Sequence, residues 1–148
     1  MEKYKFRGKR KDNKEWILGF YGELTDGLVT KHYIIQSTMS FNPNKSIYFT
    51  DYRIDPQTLG YGSGLIIKGN KELFEGDVYR KYKNIYVVEY SQIDGFHYRL
   101  IYDDYLGWNV YNKSVRSRLH MTDYDAKKCE LIGNIFENPE LLEYEGDE

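Results

Sequence analysis

Gly60-Tyr61-Gly62-Ser63-Gly64 is the segment whose residue types could do chemistry with the backbone alone. Successive N–H groups in such a loop can form a nest for phosphate or another anion. The segment lacks the Lys-Ser/Thr ending of a P-loop and opens no helix, so the triphosphate and dinucleotide fingerprints both fail. A flexible turn is the expected role. His32, His97, His120 and Cys129 are the next candidates, and no two of them share the short spacing of a zinc site. The histidines are expected on the surface or in hydrogen bonds, with a site built from them and Asp103-Asp104 the alternative. Cys129 opens an alternating strand beside Leu131, which suits a small buried apolar residue better than a nucleophile. No Gly-x-Ser-x-Gly elbow is present, and the acidic pairs fall in turns or in the tail. The expectation is a non-enzyme with no catalytic residues, no metal and no cofactor.

Cations offer a second kind of chemistry. Lys5, Arg7 and Lys9 alternate with Tyr4, Phe6 and Gly8, and Arg10 and Lys11 follow at a turn. That pattern places cations on one face of a strand and aromatics on the other. Such a face could grip phosphate while tyrosines stack bases. Against it stand the formal net charge of -2 and the acidic run from Glu137 to Glu148. No second basic cluster extends the track along the chain, so nucleic-acid binding is the alternative and not the favoured reading.

The elements that must position these residues read as short strands. Sixteen tyrosines suit half-buried pleated surfaces, where the ring packs and the hydroxyl stays hydrogen-bonded. The opening strand pairs with residues 15–21, placing Trp16, Leu18 and Phe20 on the core side. Asp26-Gly27 turns the chain into a strand over 28–36. Two short strands, 47–50 and 52–54, end at Asp55-Pro56, because proline cannot donate to a ladder. Beyond a soft boundary near Gly60, strands follow at 64–68, 77–82, 84–91, 96–102, 108–111 and 129–136. This spacing predicts a small closed or nearly closed antiparallel barrel. Thr122 and Asp125 form a degenerate capping box for one helical turn. Asn138 and Pro139 fit the N-cap and first position of another.

Four blocks carry a family resemblance. They are Lys5-Phe6-Arg7-Gly8 with Glu15-Trp16; Ile54-Asp55-Pro56 with Thr58-Leu59-Gly60; Phe74-Glu75-Gly76-Asp77-Val78; and Ile132-Gly133-Asn134-Ile135-Phe136-Glu137-Asn138-Pro139-Glu140-Leu141-Leu142. In that order they resemble the YopX family of phage and prophage proteins from low-GC Gram-positive bacteria. The family's second block usually continues with a Gln-aromatic-Thr-Gly-Leu run, where this chain has Gly60-Tyr61-Gly62-Ser63-Gly64-Leu65. Ligand contacts in that segment therefore do not transfer. The resemblance implies a C-terminal SH3-like barrel and a phage or prophage origin, with no catalytic residues to carry over. Gly76 and Gly133 also read structurally, as a turn glycine and as a bulge or close backbone approach.

The combined expectation is a mainly β chain with an N-terminal region of hairpin and short strands over 1–59. An SH3-like barrel with a C-terminal helical turn and acidic tail follows over 60–148. With one cysteine, no secretion signal and no run near the roughly 20 apolar residues of a membrane span, it reads as soluble and cytoplasmic. The expected role is an accessory protein that binds a protein partner or small ligand, as a homo-oligomer.

Overall fold

The structure, a computed structural model, describes residues 5–39, 47–105, 107–108 and 121–143. Tyr4, His120, the far end of the 108–111 strand and the acidic tail beyond Glu143 lie outside the described residues. The chain is mainly β and divides into two compact units, Met1–Gly62 and Ser63–Glu148.

In the first unit, β1 (Phe6–Arg10), β2 (Trp16–Asp26), β3 (Val29–Met39) and most of β4 (Ile47–Ile67) pair antiparallel. β1 also pairs with β4, so the pairings run from β1 through β2, β3 and β4 back to β1. Ile17, Ile34 and Ile54 form the core, with Phe6, Tyr21, Tyr52 and Leu59 packed around them. The structure departs from two expectations. Ile17 and Gly19 face the core, while Phe20 is exposed and Trp16 and Leu18 are half-buried. The reason is close packing at Gly19, where an added Cβ would stand 2.9 Å from Ile34 Cγ2, a contact no larger side chain permits. Asp55-Pro56 also does not end a strand. Arg7 opposes Gly60 but Lys9 opposes Asp55, so residues 56–59 bulge out of the β1 ladder and β4 continues. Within the bulge Pro56 has no N–H to satisfy, and Thr58 Oγ1 accepts the Lys9 N–H at 2.8 Å.

In the second unit the end of β4 pairs with β5 (Lys71–Phe74), and a five-stranded sheet runs in the order β10-β6-β7-β8-β9. Its strands are β6 (Asp77–Lys81), β7 (Asn84–Ser91), β8 (Gly95–Asp103), β9 (Gly107–Trp108) and β10 (Cys129–Asn134). β5 is not among the strands the sequence pattern predicts. Four residues are too few to show alternation, and Leu73 and Phe74 are both buried.

Both faces of this sheet carry core. On one, Tyr79, Val88, Tyr98 and Cys129 pack with Ile67, Leu73 and Ala126; on the other, Val78, Ile85, Val87 and Ile101 pack with Leu141 and Leu142. The period-2 alternation of β7 supplies both faces. Tyr79 and Tyr86 stack with centroids 5.3 Å apart, and Tyr98 meets Tyr79 edge-on at 6.1 Å. Two short helices complete the unit, α1 (Asp123–Ala126) and α2 (Glu140–Glu143). Thr122 caps α1, its Oγ1 accepting the Asp125 N–H at 3.1 Å.

Candidate functional site

The cationic strand of the first hairpin folds onto aromatic rings. In the β1–β2 register Lys9 opposes Trp16 and Arg7 opposes Leu18. Arg7 is buried, with its guanidinium carbon 4.6 Å from the Trp16 ring centroid, and Lys9 Nζ lies 5.5 Å from the same ring. Arg10 lies 4.6 Å from the Tyr52 ring, and its Nε donates to Asp12 Oδ1 at 2.9 Å. That hydrogen bond raises the Arg10 pKa and holds the Asp12 carboxyl below its ordinary value. Only Lys5 and Lys11 of the five are exposed. Cation–π packing explains the arrangement, and it leaves no row of open cations on this strand.

The glycine-rich segment is strand, not a flexible turn. Gly60 is buried, the Gly62 N–H donates to Lys5 O at 2.6 Å, and the Gly64 N–H donates to Glu72 Oε2 at 3.0 Å. A carboxylate of the chain itself occupies one N–H that an anion nest would need.

The remaining motif residues meet at the entry to β6 and the exit from β10. Gly76 has φ +91°, which lets its N–H reach Val88 O at 2.8 Å while its carbonyl accepts the Ile135 N–H at 2.9 Å. Glu75 is half-buried and Asp77 fully buried, and Asp77 Oδ2 accepts the Phe74 N–H at 2.8 Å. Asn134 Oδ1 accepts the N–H groups of Phe136 and Glu137 at 3.0 and 2.9 Å. Asn138 does not cap α2 as the pattern predicts. Its Oδ1 takes the Asn134 N–H at 3.3 Å and sits where a Cβ on Gly133 would be 2.2 Å away, so the side chain reaches back to the strand, and Pro139 precedes α2. In the first unit, Gly8 packs against Ile54, and Asp55 Oδ1 accepts the Gln57 N–H at 3.1 Å.

His32 lies against the Tyr21 hydroxyl, which also donates to Glu23 Oε1 at 2.6 Å. Burial, with Glu23 alongside, pushes the Tyr21 pKa up to about 12. His97 is buried, its Nε2 3.7 Å from Glu89 Oε1, and Arg99 Nε donates to the same oxygen at 2.9 Å. Asp103 Oδ1 accepts the Tyr105 N–H, and Asp104 pairs with Lys83 at 3.7 Å. Among the described residues, no three His, Cys, Asp or Glu converge as a metal site. Cys129 is fully buried, and desolvation pushes its thiol up to about 11, far from the thiolate a nucleophile needs.

A second basic cluster does exist, and the fold assembles it. Lys68, Arg80, Lys127 and Lys128 line an open pocket of about 220 Å³ with Tyr82 and a single carboxylate, Glu130. Lys68 follows β4, Arg80 lies on β6 opposite Glu130, and Lys127 and Lys128 end α1. Lys68 is drawn in by its backbone N–H, which donates to Cys129 O at 3.1 Å. Lys128 Nζ sits 4.0 Å from the Tyr124 ring and 5.6 Å from Tyr82, and hydrogen bonding to the two tyrosines raises its pKa. Nearby Lys81 is neutralised by Asp125 at 3.2 Å. Four cations facing one carboxylate make this a place where an anion is attracted. Lys127-Lys128 is the only contiguous trace of it in the sequence, since the other cations lie dozens of residues away.

Among the described residues, no helix is long and apolar enough to cross a membrane. The chain matches none of the curated proteins. The chain is similar to a solved structure, the crystal structure of protein EF1440 from Enterococcus faecalis, at 22% identity over 93% of this chain and 96% of that one, with a TM-score of 0.46. The family model described as YopX protein matches residues 5–143, nearly the whole length and all four sequence blocks, so the chain belongs to the YopX family.

Proposed function

We propose that this is a non-enzymatic accessory protein that binds an anionic small ligand in the pocket of its second unit. The observation that carries the reading is the convergence of Lys68, Arg80 and Lys127, which form no ion pair among the described residues, on one open cavity. Like charges held together repel, and a ligand with several anionic oxygens relieves that repulsion while accepting charge-assisted hydrogen bonds. A phage or prophage origin and action in the bacterial cytoplasm are what family membership suggests. The SH3-like barrel is the compact arrangement we infer for the second unit, with the β4–β5 ribbon laid over the Tyr79 face of the sheet. Calorimetry with inorganic pyrophosphate at low salt tests the binding. The expected dissociation constant is on the order of 10⁻⁴ M, about -5.5 kcal/mol, and it weakens with added salt. The Lys68→Ala/Arg80→Ala/Lys127→Ala variant binds none. Equal binding by that variant overturns the proposal, and turnover of nucleotide, ester or peptide substrates that a pocket mutation abolishes overturns the non-enzyme part.

A second reading, self-association, rests on a different surface. Phe20, Leu24, Val29 and Phe49 project from one face of β2, β3 and β4, each more than half exposed. Lys31 and Arg53 share that face with Asp26 and Asp51, so two copies related by a twofold axis can match apolar area and opposite charges. Light scattering on Phe20→Ser/Phe49→Ser checks it, with a drop to monomer expected. Nucleic-acid binding by the hairpin of Lys5, Arg7, Lys9, Arg10 and Lys11 has less support, because three of the five lie on rings or in an ion pair.

A further inference from the structure

Tyr82 stands at an unusual backbone position for its size. β6 and β7 are joined by the two-residue turn Tyr82-Lys83, with Lys81 opposite Asn84. Tyr82 has φ +56° there, a conformation that glycine and asparagine adopt readily and a bulky residue does not. The fold draws little burial from the ring in return, because Tyr82 remains 68% exposed. Strain of this kind, offset by little burial and by a contact with Lys128 alone among the pocket cations, points to a role outside the fold.

The ring lines the cationic pocket. Its neighbour Tyr124 is 69% exposed, and the Lys128 ammonium lies near both rings. Lys128 is thus held by the tyrosines, leaving Lys68, Arg80 and Lys127 to meet a ligand's oxygens. A volume of about 220 Å³ suits one or two phosphate groups rather than a whole drug-sized molecule. The rest of such a ligand extends over the rim, where the exposed surface is aromatic.

Resting on the anion-binding reading above, we propose that the ligand is a free nucleoside phosphate. Its phosphates lie among Lys68, Arg80 and Lys127, and its base stacks on the Tyr82 ring. Stacking on tyrosine tolerates any base, so the site selects the class and not one nucleotide. The compact pocket and the acidic balance of the chain favour a free nucleotide over a strand, which would need a basic track leading away.

The test is calorimetry on the full chain with ADP, inorganic pyrophosphate, adenosine and a fifteen-residue oligothymidylate. ADP is expected to bind about tenfold more tightly than pyrophosphate, within the range that base stacking contributes, and adenosine not measurably. Tyr82→Gly relieves the strained turn, so its melting midpoint stays level or rises while the tenfold advantage of ADP disappears and pyrophosphate affinity is kept. Tyr82→Phe retains the advantage. Equal binding of ADP and pyrophosphate overturns this inference and leaves the anion site standing, whereas binding of neither removes both. Oligothymidylate binding more than tenfold tighter than ADP overturns the free nucleotide in favour of a single strand. A lower melting midpoint for Tyr82→Gly makes the tyrosine a structural residue and overturns its assignment to the ligand.

Discussion

The two units use their cations in opposite ways. In the first, Arg7, Lys9 and Arg10 are close in sequence and end on Trp16, Tyr52 and Asp12, where they cover rings and close a hairpin. In the second, Lys68, Arg80 and Lys127 are scattered in sequence and end around a cavity. A dense run of charge on a strand has neighbours at every second residue to pair or stack with, so it tends to be consumed by its own hairpin. Charges delivered by separate elements meet only where the fold brings their tips together. Electrostatic potential able to act on a ligand is a property of that meeting point, not of local density along the chain.

The largest expected effect concerns the frame that holds β6, the strand bearing Arg80. Gly76→Val forces a β-branched residue to φ +91° and drives its Cβ to 3.0 Å from Phe136 Cε2 and 3.4 Å from Ile135 Cγ1. The expected loss is about 3 kcal/mol, from backbone strain and crowding together. Urea denaturation checks it, and pyrophosphate binding should fade as the second unit unfolds. An unchanged midpoint would mean that the turn yields cheaply and that the pocket's frame is softer than the geometry implies.

Next in size is the direct contrast between two arginines. Arg7→Ala removes a buried guanidinium from the Trp16 ring and its stem from the core edge, at an expected cost of about 2 kcal/mol. Arg80→Ala removes an exposed side chain and should change stability by less than about 0.5 kcal/mol. In pyrophosphate binding the order reverses, with Arg80→Ala weakened several-fold and Arg7→Ala unaffected at temperatures where it remains folded. If both variants lose stability equally and bind equally, the contrast between the units is gone.

Much of the fold is legible in the sequence, and the failures have specific causes. β7 and β8 are legible because each is a long run rich in aromatic and β-branched or aliphatic residues, bounded by turn signals. The Thr122 cap and the Gly76 turn are visible because local chemistry settles them. β2 misleads: Trp16, Leu18 and Phe20 are the larger side chains, yet Ile17 and Gly19 hold the core face because close packing there excludes bulk. Pro56 misleads because a bulge removes the ladder bond that proline cannot make. The pocket leaves almost no trace in the sequence. Its cations come from a turn, a strand and a helix end, and the register of β6 with β10 decides that Arg80 lies beside Glu130.

A smaller effect than the loss of Arg7 tests whether the helical turn that leads into Lys127 and Lys128 is set by its cap. Asp125 is held below its ordinary value of 3.8, first by the hydrogen bond from Thr122 and then by Lys81. A carboxyl whose pKa is depressed on folding stabilises the protein above its unfolded pKa, and that contribution is lost as the pH falls through the folded value. Thr122→Ala removes the leading cause of the depression together with the cap on the Asp125 N–H. At neutral pH the expected cost is about 1 kcal/mol. Below pH 4 the difference between variant and wild type should narrow, since the wild type then loses the charged form that Thr122 favours. Thermal melts of both proteins from pH 7 to pH 3 measure this directly. A difference that stays constant across the range would mean that Thr122 acts on the helix backbone alone. A difference that widens would contradict the sign of the Asp125 shift.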